Sequence, residues 1–321
     1  MLSSNVLAGV GNTPLLHLTI SGQPLIQIYS KLEYLNPSGS VKDRAASYVI
    51  DKLLRTGEIT KNTTLIESSS GNFGIALSMY AKSRGVKFIC VIDKNVSDAN
   101  EFLIRQYSTD VIKVDVPDAN GGYLLNRIEA VKSKLQQISD SYWINQYGNP
   151  YVSEAYYNSL GTELCGNLKE IDYLFLGVSS AGTIAGVSKR VKERFPNCKV
   201  IAVDIHGSVI FGGKPMKRYI PGIGSSMVPD NINESLIDDI VYVDEVETVK
   251  GCYQLLNNHF IFAGGSSGSV CAAVSKYFEN KHLQEKVTVA TIFPDKGDRY
   301  INTIYNEKWC ERLIQHDEKL I

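Results

Sequence analysis

The chain has 321 residues, of which 44% are hydrophobic, 33 are Lys or Arg and 34 are Asp or Glu. This balance predicts a globular protein of about two domains and excludes a disordered or fibrous chain. A formal net charge of −1 gives no general attraction to nucleic acid or anionic lipid, so we expect neither as a partner.

Apolar β-branched runs alternate with segments of helical period along the whole chain. This alternation is typical of the α/β class, in which a mostly parallel sheet is built with crossover helices. The predicted strands cover residues 25–32, 64–67, 88–92, 111–114, 142–144, 173–178, 200–204, 240–243 and 287–293. The predicted helices cover residues 41–55, 73–84, 98–107, 122–137, 154–168, 183–194, 245–257 and 267–279.

No linker marks a domain boundary, and we place it near residue 145. This gives an N-terminal domain of residues 1–145 and a C-terminal domain of residues 146–321. A long Gly- and Pro-containing loop is predicted over 207–229, and loops of this length are usually functional or disordered.

The N-terminal stretch has no basic residue before Lys31, so we expect neither a signal peptide nor a transit peptide. The least charged internal stretches, 173–188 and 260–275, are too short and too rich in Ser and Gly to span a bilayer. We therefore expect a cytoplasmic protein. The six cysteines lie far apart without a C-x-x-C pattern, which favours buried free thiols over disulfides or a metal site.

Three predicted strands end in turns of small residues that open a helix. The turns read Glu-Ser-Ser-Ser-Gly-Asn-Phe-Gly at 67–74, Val-Ser-Ser-Ala-Gly-Thr at 178–183 and Ala-Gly-Gly-Ser-Ser-Gly-Ser at 263–269. Each presents backbone N–H groups and hydroxyls at a helix N-terminus, where an anion is stabilised. No turn matches G-x-G-x-x-G or the P-loop, so a small phosphorylated cofactor and a carboxylate substrate are better candidates than a nucleotide.

Lys42 lies in the first turn of the predicted helix that follows Ser40, a candidate N-cap. The helix N-terminus already carries partial positive charge, which disfavours a lysine there. An exposed lysine tolerated at small cost is one explanation. A positive environment also lowers the pKa of an amine and makes it nucleophilic, as a Schiff-base lysine requires.

The segment Lys-Leu-Glu-Tyr-Leu-Asn-Pro-Ser-Gly-Ser-Val-Lys-Asp-Arg at 31–44, together with the three turns, closely resembles the fold-type II pyridoxal-phosphate enzymes of the cysteine synthase and cystathionine β-synthase group. The resemblance runs from residues 10–15 to residues 294–300. It implies two three-layer α/β/α domains with largely parallel sheets, similar to the tryptophan synthase β subunit. The smaller, mobile N-terminal domain would send its first strands, about 13–33, into the other domain. A homodimer with the active site between the two domains is also implied.

The resemblance implies that pyridoxal 5′-phosphate is the cofactor, that Lys42 binds its aldehyde covalently, and that Lys42 later moves the substrate α-proton. Asn72 would hydrogen-bond the phenolic oxygen, and Ser266 would face the pyridine nitrogen. A neutral hydroxyl does not hold that nitrogen protonated, which favours β-elimination over racemisation. The predicted phosphate-binding residues are Ser179, Ser180, Ala181, Gly182 and Thr183. The predicted substrate-binding residues are Ser69, Ser70, Gly71, Arg127, Gln146, Tyr147 and Ser179.

Several residues depart from the cysteine synthase pattern. Where that family typically has Gly-Thr-Gly-Gly-Thr and Gln-Phe, this chain has Ser-Ser-Ala-Gly-Thr at 179–183 and Gln146 followed by Tyr147; Phe73 also replaces a usual threonine. Sulfide needs almost no binding site, whereas an amino-acid nucleophile must be held and aimed, so the added hydroxyls favour the latter. Arg127 offers a bidentate carboxylate contact, although an arginine on a predicted helix is more often a solvated charge.

Another candidate group is His206, Lys217 and Arg218, which either meet a leaving phosphate or are solvated loop residues.

Arg127, Tyr147 and Ser179, together with the long segment 204–215, resemble the N-(2-amino-2-carboxyethyl)-L-glutamate synthases of siderophore biosynthesis. That resemblance implies β-replacement on O-phospho-L-serine through an α-aminoacrylate, with L-glutamate as nucleophile, on the route to L-2,3-diaminopropionate. Two alternatives stay open: a cysteine synthase that uses O-acetylserine or O-phosphoserine with sulfide, and an inactive relative that serves as a binding partner.

Overall fold

The computed structural model describes residues 5–20, 22–118 and 122–317. Within these ranges, ten strands alternate with ten α-helices. The strands are β1 (Leu15–Ile20), β2 (Gln23–Leu32), β3 (Thr64–Ser68), β4 (Lys87–Asp93), β5 (Asp110–Val114), β6 (Ser141–Trp143), β7 (Tyr173–Gly177), β8 (Lys199–Ile205), β9 (Asp239–Val243) and β10 (Val287–Phe293). The helices are α1 (Lys42–Thr56), α2 (Asn72–Arg84), α3 (Asp98–Tyr107), α4 (Leu124–Gln137), α5 (Pro150–Tyr156), α6 (Thr162–Asn167), α7 (Gly182–Arg194), α8 (Glu245–His259), α9 (Gly265–Phe278) and α10 (Glu307–Asp317).

The larger sheet has six strands in the order β1-β2-β10-β7-β8-β9. β1 and β2 are antiparallel, and every other neighbouring pair in this sheet is parallel. β2 lies beside β10 from Ile26 opposite Val287 to Leu32 opposite Phe293. This pairing brings the segment that leads to Lys42 next to the segment that follows β10.

The smaller sheet has four parallel strands in the order β5-β4-β3-β6. All five residues of β3 are buried, and so are six of the seven residues of β4, as is usual for parallel strands covered on both faces. The molecule thus consists of two α/β units with mostly parallel sheets, which confirms the predicted fold class.

The apolar pattern predicts no strand over 15–20, although the resemblance implied strands within about 13–33, and the structure has β1 there. Leu18 is buried while His17 and Thr19 are exposed, so this edge strand alternates instead of forming the apolar run expected of a buried strand. Helix α10 was also not predicted; it is a separate segment near the chain end that buries Leu313.

The predicted helix over 154–168 begins earlier and contains a π-helical turn. Asn149 caps α5 by accepting a hydrogen bond from the Tyr151 N–H, and Pro150 takes the first helical position, where its missing N–H costs nothing. A π-helical turn, Tyr157–Gly161, joins α5 to α6, and the backbone stays right-handed helical at both junctions. The helix prediction is thus right for most of this segment, and it missed the first turn and the π-helical turn.

The predicted long loop is confirmed, because residues 206–229 contain neither helix nor strand. The loop folds back over the end of β7, where the Gly224 N–H donates to the Val178 carbonyl at 2.7 Å. One of its turns requires glycine: Gly224 has φ +71, and a Cβ atom there would lie 2.4 Å from Arg218 Nη1. The loop therefore covers one side of the turn that precedes α7.

Helix α7 packs directly against α5 through two glycines. A Cβ atom on Gly182 would lie 2.4 Å from Val152 Cγ1, and one on Gly186 would lie 2.1 Å from the Ser153 carbonyl oxygen. No side chain fits in either position. The N-terminus of α7 is consequently fixed in place by backbone packing.

All six cysteines are free, as their spacing predicts, and four of them are buried. Within the described ranges, no group of three or more His, Cys, Asp or Glu residues is placed to hold a metal ion. In that same part of the chain, no helix has both the length and the apolar character needed to cross a membrane.

A buried cluster of charges holds the start of α1. Arg44 donates two hydrogen bonds to the Glu33 carboxylate, at 2.7 and 2.8 Å, and two to Glu163, at 2.6 and 2.9 Å. Lys31 Nζ lies 2.7 Å from Glu163. Burial opposes ionisation of Glu163, but the hydrogen bonds and charge of Arg44 prevail and lower its pKa to about 2. The cluster joins β2, α1 and α6, and Lys42 lies two residues before Arg44.

Replacing Arg44 by alanine is expected to lower the free energy of unfolding by about 3–5 kcal/mol, because the fully buried Glu33 carboxylate loses its cationic partner and keeps only the hydrogen bonds from Thr13 and Asn36. Urea unfolding followed by circular dichroism measures this change. Lys132→Ala is the matched control, since Lys132 forms an exposed pair with Glu129, and we expect a change below about 0.5 kcal/mol. A loss under about 1 kcal/mol in Arg44→Ala would contradict a stabilising role for the cluster.

Candidate active site

A cleft of about 540 Å³, including its mouth, opens where the segments before α1, α2, α7 and α9 meet the end of β10. These are the carboxyl ends of the strands, where ligands bind in open α/β sheets. Seven of the residues predicted from the sequence line this cleft: Lys42, Asn72, Ser179, Ser180, Ala181, Thr183 and Ser266. The two α/β units contribute residues to one site.

Lys42 is the first residue of α1, and its amine lies in the cleft. The helix start is tied down on both sides: the Lys42 N–H donates to the Ser40 hydroxyl at 3.3 Å, and the Val41 N–H donates to the Pro294 carbonyl at 2.9 Å. Val41, not Ser40, occupies the N-cap position. Burial lowers the pKa of Lys42 to about 8, although the charge of Asp295 opposes this shift. A substantial fraction of the amine is therefore unprotonated near neutral pH and nucleophilic.

Asn72 begins α2 on the opposite side of the cleft. Its Nδ2 donates to Asp295 Oδ2 at 2.8 Å. An amide nitrogen carries two hydrogens, so one N–H remains for an acceptor in the cleft. The role of Asp295 was not predicted, because its only signal in the sequence is the Pro-Asp-Lys-Gly motif after the last strand.

The turn before α2 holds its shape through Ser69. The Ser69 hydroxyl oxygen accepts from the Gly74 N–H at 3.0 Å and from the Gly71 N–H at 3.4 Å, which leaves its own hydrogen free to donate to a ligand. A Cβ atom on Gly74 would lie 2.4 Å from the Ser69 carbonyl oxygen, so the turn is closely packed. The turn offers a hydroxyl and helix N-terminal amides to a carboxylate.

The Ser70 hydroxyl is already engaged within the protein. It donates to Asp93 Oδ2 at 2.7 Å and accepts from Arg127 Nη1 at 2.9 Å. Arg127 Nη1 also lies 3.2 Å from the Asp93 carboxylate. At this position only the backbone N–H of Ser70 remains for the predicted substrate contact. Arg127 is thus brought beside the turn, and it is not the solvated charge that a helix position alone suggests.

The turn before α7 carries an uncommon backbone conformation. Ala181 has φ +60, a left-handed value that L-residues other than glycine seldom adopt. It is the N-cap of α7, and within the described structure the amides of Gly182, Thr183 and Ile184 have no backbone partner. Such amides at a helix N-terminus are well suited to a phosphate group. Ser179 differs from its neighbours because its hydroxyl donates to the Gly224 carbonyl at 3.0 Å.

Ser266 lies in the first turn of α9, is 5% exposed and forms part of the cleft wall. Gly177 at the end of β7 faces it, and a Cβ atom there would lie 3.8 Å from Ser266 Cβ. Ser266 therefore gives the cleft that Lys42 and Asn72 also line a neutral hydroxyl side chain.

Gln146 and Tyr147 follow β6 and lie beside the turn before α2. The Gln146 side chain donates to the Ser68 carbonyl at 3.2 Å, and its N–H donates to Glu67 at 3.1 Å. Glu67 is fully buried, and burial raises its pKa to about 7. Burial also raises the pKa of Tyr147, while the charge of Arg127 opposes that rise. Glu67 was not predicted as a functional residue, because it precedes the Ser-rich turn as a single carboxyl at the end of a mostly apolar strand.

Arg218 is the member of the basic loop group that the structure brings inward. It is half-buried, Nη2 donates to Ser226 at 2.8 Å, and its charge, like that of Arg127, lowers the pKa of Tyr147. His206 and Lys217 are exposed. His206 and Lys217 are thus solvated loop residues, whereas Arg218 is not.

The arrangement defines a class of protein. A lysine of lowered pKa, an asparagine and a serine line one cleft with the turn whose helix N-terminal amides are unpaired. A nucleophilic amine, a helix start suited to phosphate and neutral hydrogen-bonding side chains are what pyridoxal phosphate requires, so the arrangement is that of a pyridoxal-phosphate dependent enzyme.

Comparison with known proteins agrees with this conclusion. The sequence model of the family described as pyridoxal-phosphate dependent enzyme matches residues 6–295, and the chain belongs to this family. The O-acetylserine-dependent cystathionine β-synthase from Helicobacter pylori is 33% identical with a TM-score of 0.88, over 95% of this chain and 100% of that one. An O-ureido-L-serine synthase is 26% identical with a TM-score of 0.86, over 96% of each chain. A hydrogen sulfide-producing enzyme from Fusobacterium nucleatum is 28% identical with a TM-score of 0.85, over 93% of this chain and 100% of that one.

Family and neighbours together identify an enzyme of the β-substitution type that acts on amino-acid substrates. The cofactor, the fold class and the enzyme class expected from the sequence are confirmed. The roles of the individual site residues and the choice of substrates are taken up below as proposals.

The acetylation rate of Lys42 in the apoprotein is expected to rise about tenfold per pH unit up to pH 8 and then to level off, because only the unprotonated amine reacts and its pKa is about 8. Pulse labelling with acetic anhydride and mass spectrometry of the peptides measures this profile. Exposed Lys132 in the same sample is the internal standard. A Lys42 rate that keeps rising to pH 10.5, the ordinary lysine value, would contradict the effect of burial.

Proposed function

We propose that the protein catalyses β-replacement on O-phospho-L-serine with L-glutamate as the amine nucleophile. The Cβ–O bond of phosphoserine breaks, a bond forms between Cβ and the glutamate nitrogen, and that nitrogen loses a proton. The products are N-(2-amino-2-carboxyethyl)-L-glutamate and phosphate. This product leads toward L-2,3-diaminopropionate in siderophore biosynthesis.

The observation that carries the proposal is the unused edge of Arg127. Nη1 binds Ser70 and Asp93, whereas Nε is buried without a hydrogen-bond partner and Nη2 has none in the described structure. Nε–H and Nη2–H form the parallel pair of donors that a carboxylate accepts in bidentate fashion. A carboxylate bound there would also satisfy an otherwise unpaired buried donor.

The surroundings of Tyr147 support an acidic second substrate. Arg127 and Arg218 both act on the Tyr147 hydroxyl, and they come from α4 and from the loop over β7. Within the described ranges, Arg218 has no carboxylate within ion-pair distance, and its Nε is buried without a partner. Glutamate carries two carboxylates, so two guanidinium groups that both act on one hydroxyl suit it better than they suit sulfide.

The residues around Lys42 account for the donor half of the reaction. The Ser69 hydroxyl and the amides of the turn before α2 bind the α-carboxylate and hold Cα near the Lys42 amine. Lys42 takes the α-proton and later returns it at the same carbon. The cofactor, when bound, supplies the electron sink that allows the β-substituent to leave, and the neutral Ser266 hydroxyl keeps that sink moderate.

The second half of the reaction depends on orientation. Arg127, with Tyr147 beside it, would hold glutamate so that its amine faces the β-carbon. Placing two reactants in this way lowers a barrier by up to about 7–11 kcal/mol in favourable cases. Buried Gln146 and half-buried Tyr147 would limit the access of water that competes for the β-carbon.

Product analysis tests the nucleophile directly. Holoenzyme given O-phosphoserine and either L-glutamate or sulfide is expected to release phosphate with both, and to form the glutamate adduct at the higher kcat/KM. Mass spectrometry and phosphate release measure the products. Consumption with sulfide alone would assign the protein as a cysteine synthase. No consumption of any β-substituted serine would favour the inactive binding partner.

Lys42→Ala is expected to abolish turnover and the visible absorbance of the lysine-bound cofactor. The variant loses the only amine that lines the cleft among the described residues. Absorbance spectra and phosphate release measure both effects. A variant that keeps both would refute the role of Lys42.

Arg127→Gln is expected to lower kcat/KM for glutamate about 10- to 150-fold, the equivalent of about 1.5–3 kcal/mol for hydrogen bonds to a charged group. The same variant assayed with sulfide is the control. That reaction uses the same O-phosphoserine substrate and the same turn at Ser70, but its nucleophile has no carboxylate. We expect the sulfide arm to fall much less. An equal loss in both arms would place the effect in the turn and not in recognition of glutamate.

A further inference from the structure

We propose that Asp295 is a positioning residue that orients the Asn72 amide toward the cofactor and joins the three segments that carry Lys42, Asn72 and Ser266. This inference rests on the cofactor alone and not on the identity of either substrate.

The side chain of Asp295 determines which way the Asn72 amide points. Asp295 Oδ2 accepts from Asn72 Nδ2 at 2.8 Å and from the Tyr300 hydroxyl at 2.8 Å. A carboxylate only accepts hydrogen bonds, so Asn72 must present its NH₂ group and not its carbonyl oxygen. One of the two N–H bonds is used in this contact. The other is left for the cleft, where an acceptor oxygen on the cofactor would meet it.

The backbone around Asp295 contacts the other two segments. Asp295 forms an isolated bridge with Ser40, two residues before Lys42. Its carbonyl oxygen accepts from the Gly264 N–H at 2.9 Å, two residues before Ser266. Asp295 therefore touches the loops before α1 and α9 by its backbone and the start of α2 by its side chain. Lys42, Asn72 and Ser266 come from distant parts of the chain, and Asp295 contacts the segment that carries each of them.

The close packing around Asp295 leaves its carboxyl little freedom. The residue is 2% exposed, and a Cβ atom on Gly264 would lie 1.9 Å from Asp295 Oδ1. Gly264 is therefore required at that position. Oδ1 is itself buried without a hydrogen-bond partner and lies in a residue that lines the cleft. An unpaired buried acceptor is costly, and its presence at the cleft points to a role beyond holding the fold.

The charges near this carboxyl are consistent with an acceptor role. Burial raises the pKa of Asp295, but Arg299 and the hydrogen bonds from Asn72 and Tyr300 oppose that rise. Arg299 is fixed nearby through a hydrogen bond to the Ser38 carbonyl at 2.7 Å. The Asp295 charge in turn acts on Lys42. The Asp295 carboxyl thus accepts a hydrogen bond from the Asn72 amide, which would meet the cofactor, and acts by its charge on the Lys42 amine, which would bind the cofactor.

A double-mutant cycle between Asp295 and Asn72 tests the proposal. Asp295→Ala is expected to weaken pyridoxal phosphate binding to the apoprotein about tenfold and to shift the visible absorbance maximum of the bound cofactor. In an Asn72→Ala background the same substitution should cost clearly less, because the amide it orients is absent and only the effect of its charge on Lys42 remains. Quenching of tryptophan fluorescence during titration with pyridoxal phosphate measures the affinity. Circular dichroism and Tm confirm folding.

Two further variants separate positioning from packing. Asp295→Asn keeps one acceptor oxygen and the volume, and it is expected to retain affinity within about threefold. Tyr300→Phe removes the other donor to the same oxygen and should change affinity by less than about twofold. If Asp295→Ala does not fold, Asp295→Ser is carried through the same cycle.

Three results would overturn the proposal. The first is an unchanged affinity in Asp295→Ala. The second is an equal loss in the presence and in the absence of the Asn72 amide, which would show that Asp295 does not act through it. The third is a loss in Tyr300→Phe as large as that in Asp295→Ala, which would place the effect in the packing around residue 295.

Discussion

The parallel pairing of β2 with β10 is the constraint on which the cleft depends. It sets the last residues of β10 beside the segment that leads into α1, so the Val41 N–H reaches the Pro294 carbonyl and Asp295 reaches Ser40. Without that register the amine of Lys42 and the turns before α7 and α9 would not face one space. The smaller sheet then adds Asn72 from the other side.

Burial tunes the chemistry of the site more than any single contact does. Removal from water lowers the pKa of Lys42 to about 8 and raises that of Glu67 to about 7. The pKa values of an ordinary amine and an ordinary carboxyl are thus both brought close to neutral pH. Neighbouring charges then adjust each group: Asp295 restrains the shift of Lys42, and Arg127 restrains that of Glu67. Of these two groups only Lys42 lines the cleft, where acid–base work on an amino acid needs an amine of such a pKa; Glu67 is buried in β3.

A strand followed by a small-residue turn and a helix is a continuous signal in the sequence, and it marked the three turns, while the resemblance pointed to the individual residues. Lys42, Asn72, Ser266 and four residues of the 179–183 turn line one cleft, and their roles toward the cofactor stay predictions. Contacts between distant residues had no comparable signal. Asn72 and Asp295 lie 223 positions apart, and the capture of the Ser70 hydroxyl by Asp93 and Arg127 depends on side-chain directions that no periodicity encodes. Arg218 was ambiguous for the same reason, since its loop has no regular structure.

The position of β2 also bears on how the chain reaches its folded state during synthesis. Ile26 pairs with Val287, a separation of 287 − 26 = 261 residues, so β1 and β2 leave the ribosome long before their parallel partner exists. At roughly 5–20 residues per second, this hairpin waits about 13–50 s with one edge unpaired. Exposed edges of this kind recruit other strands, so the nascent chain depends on chaperones or on the early folding of the smaller sheet to stay apart from its neighbours.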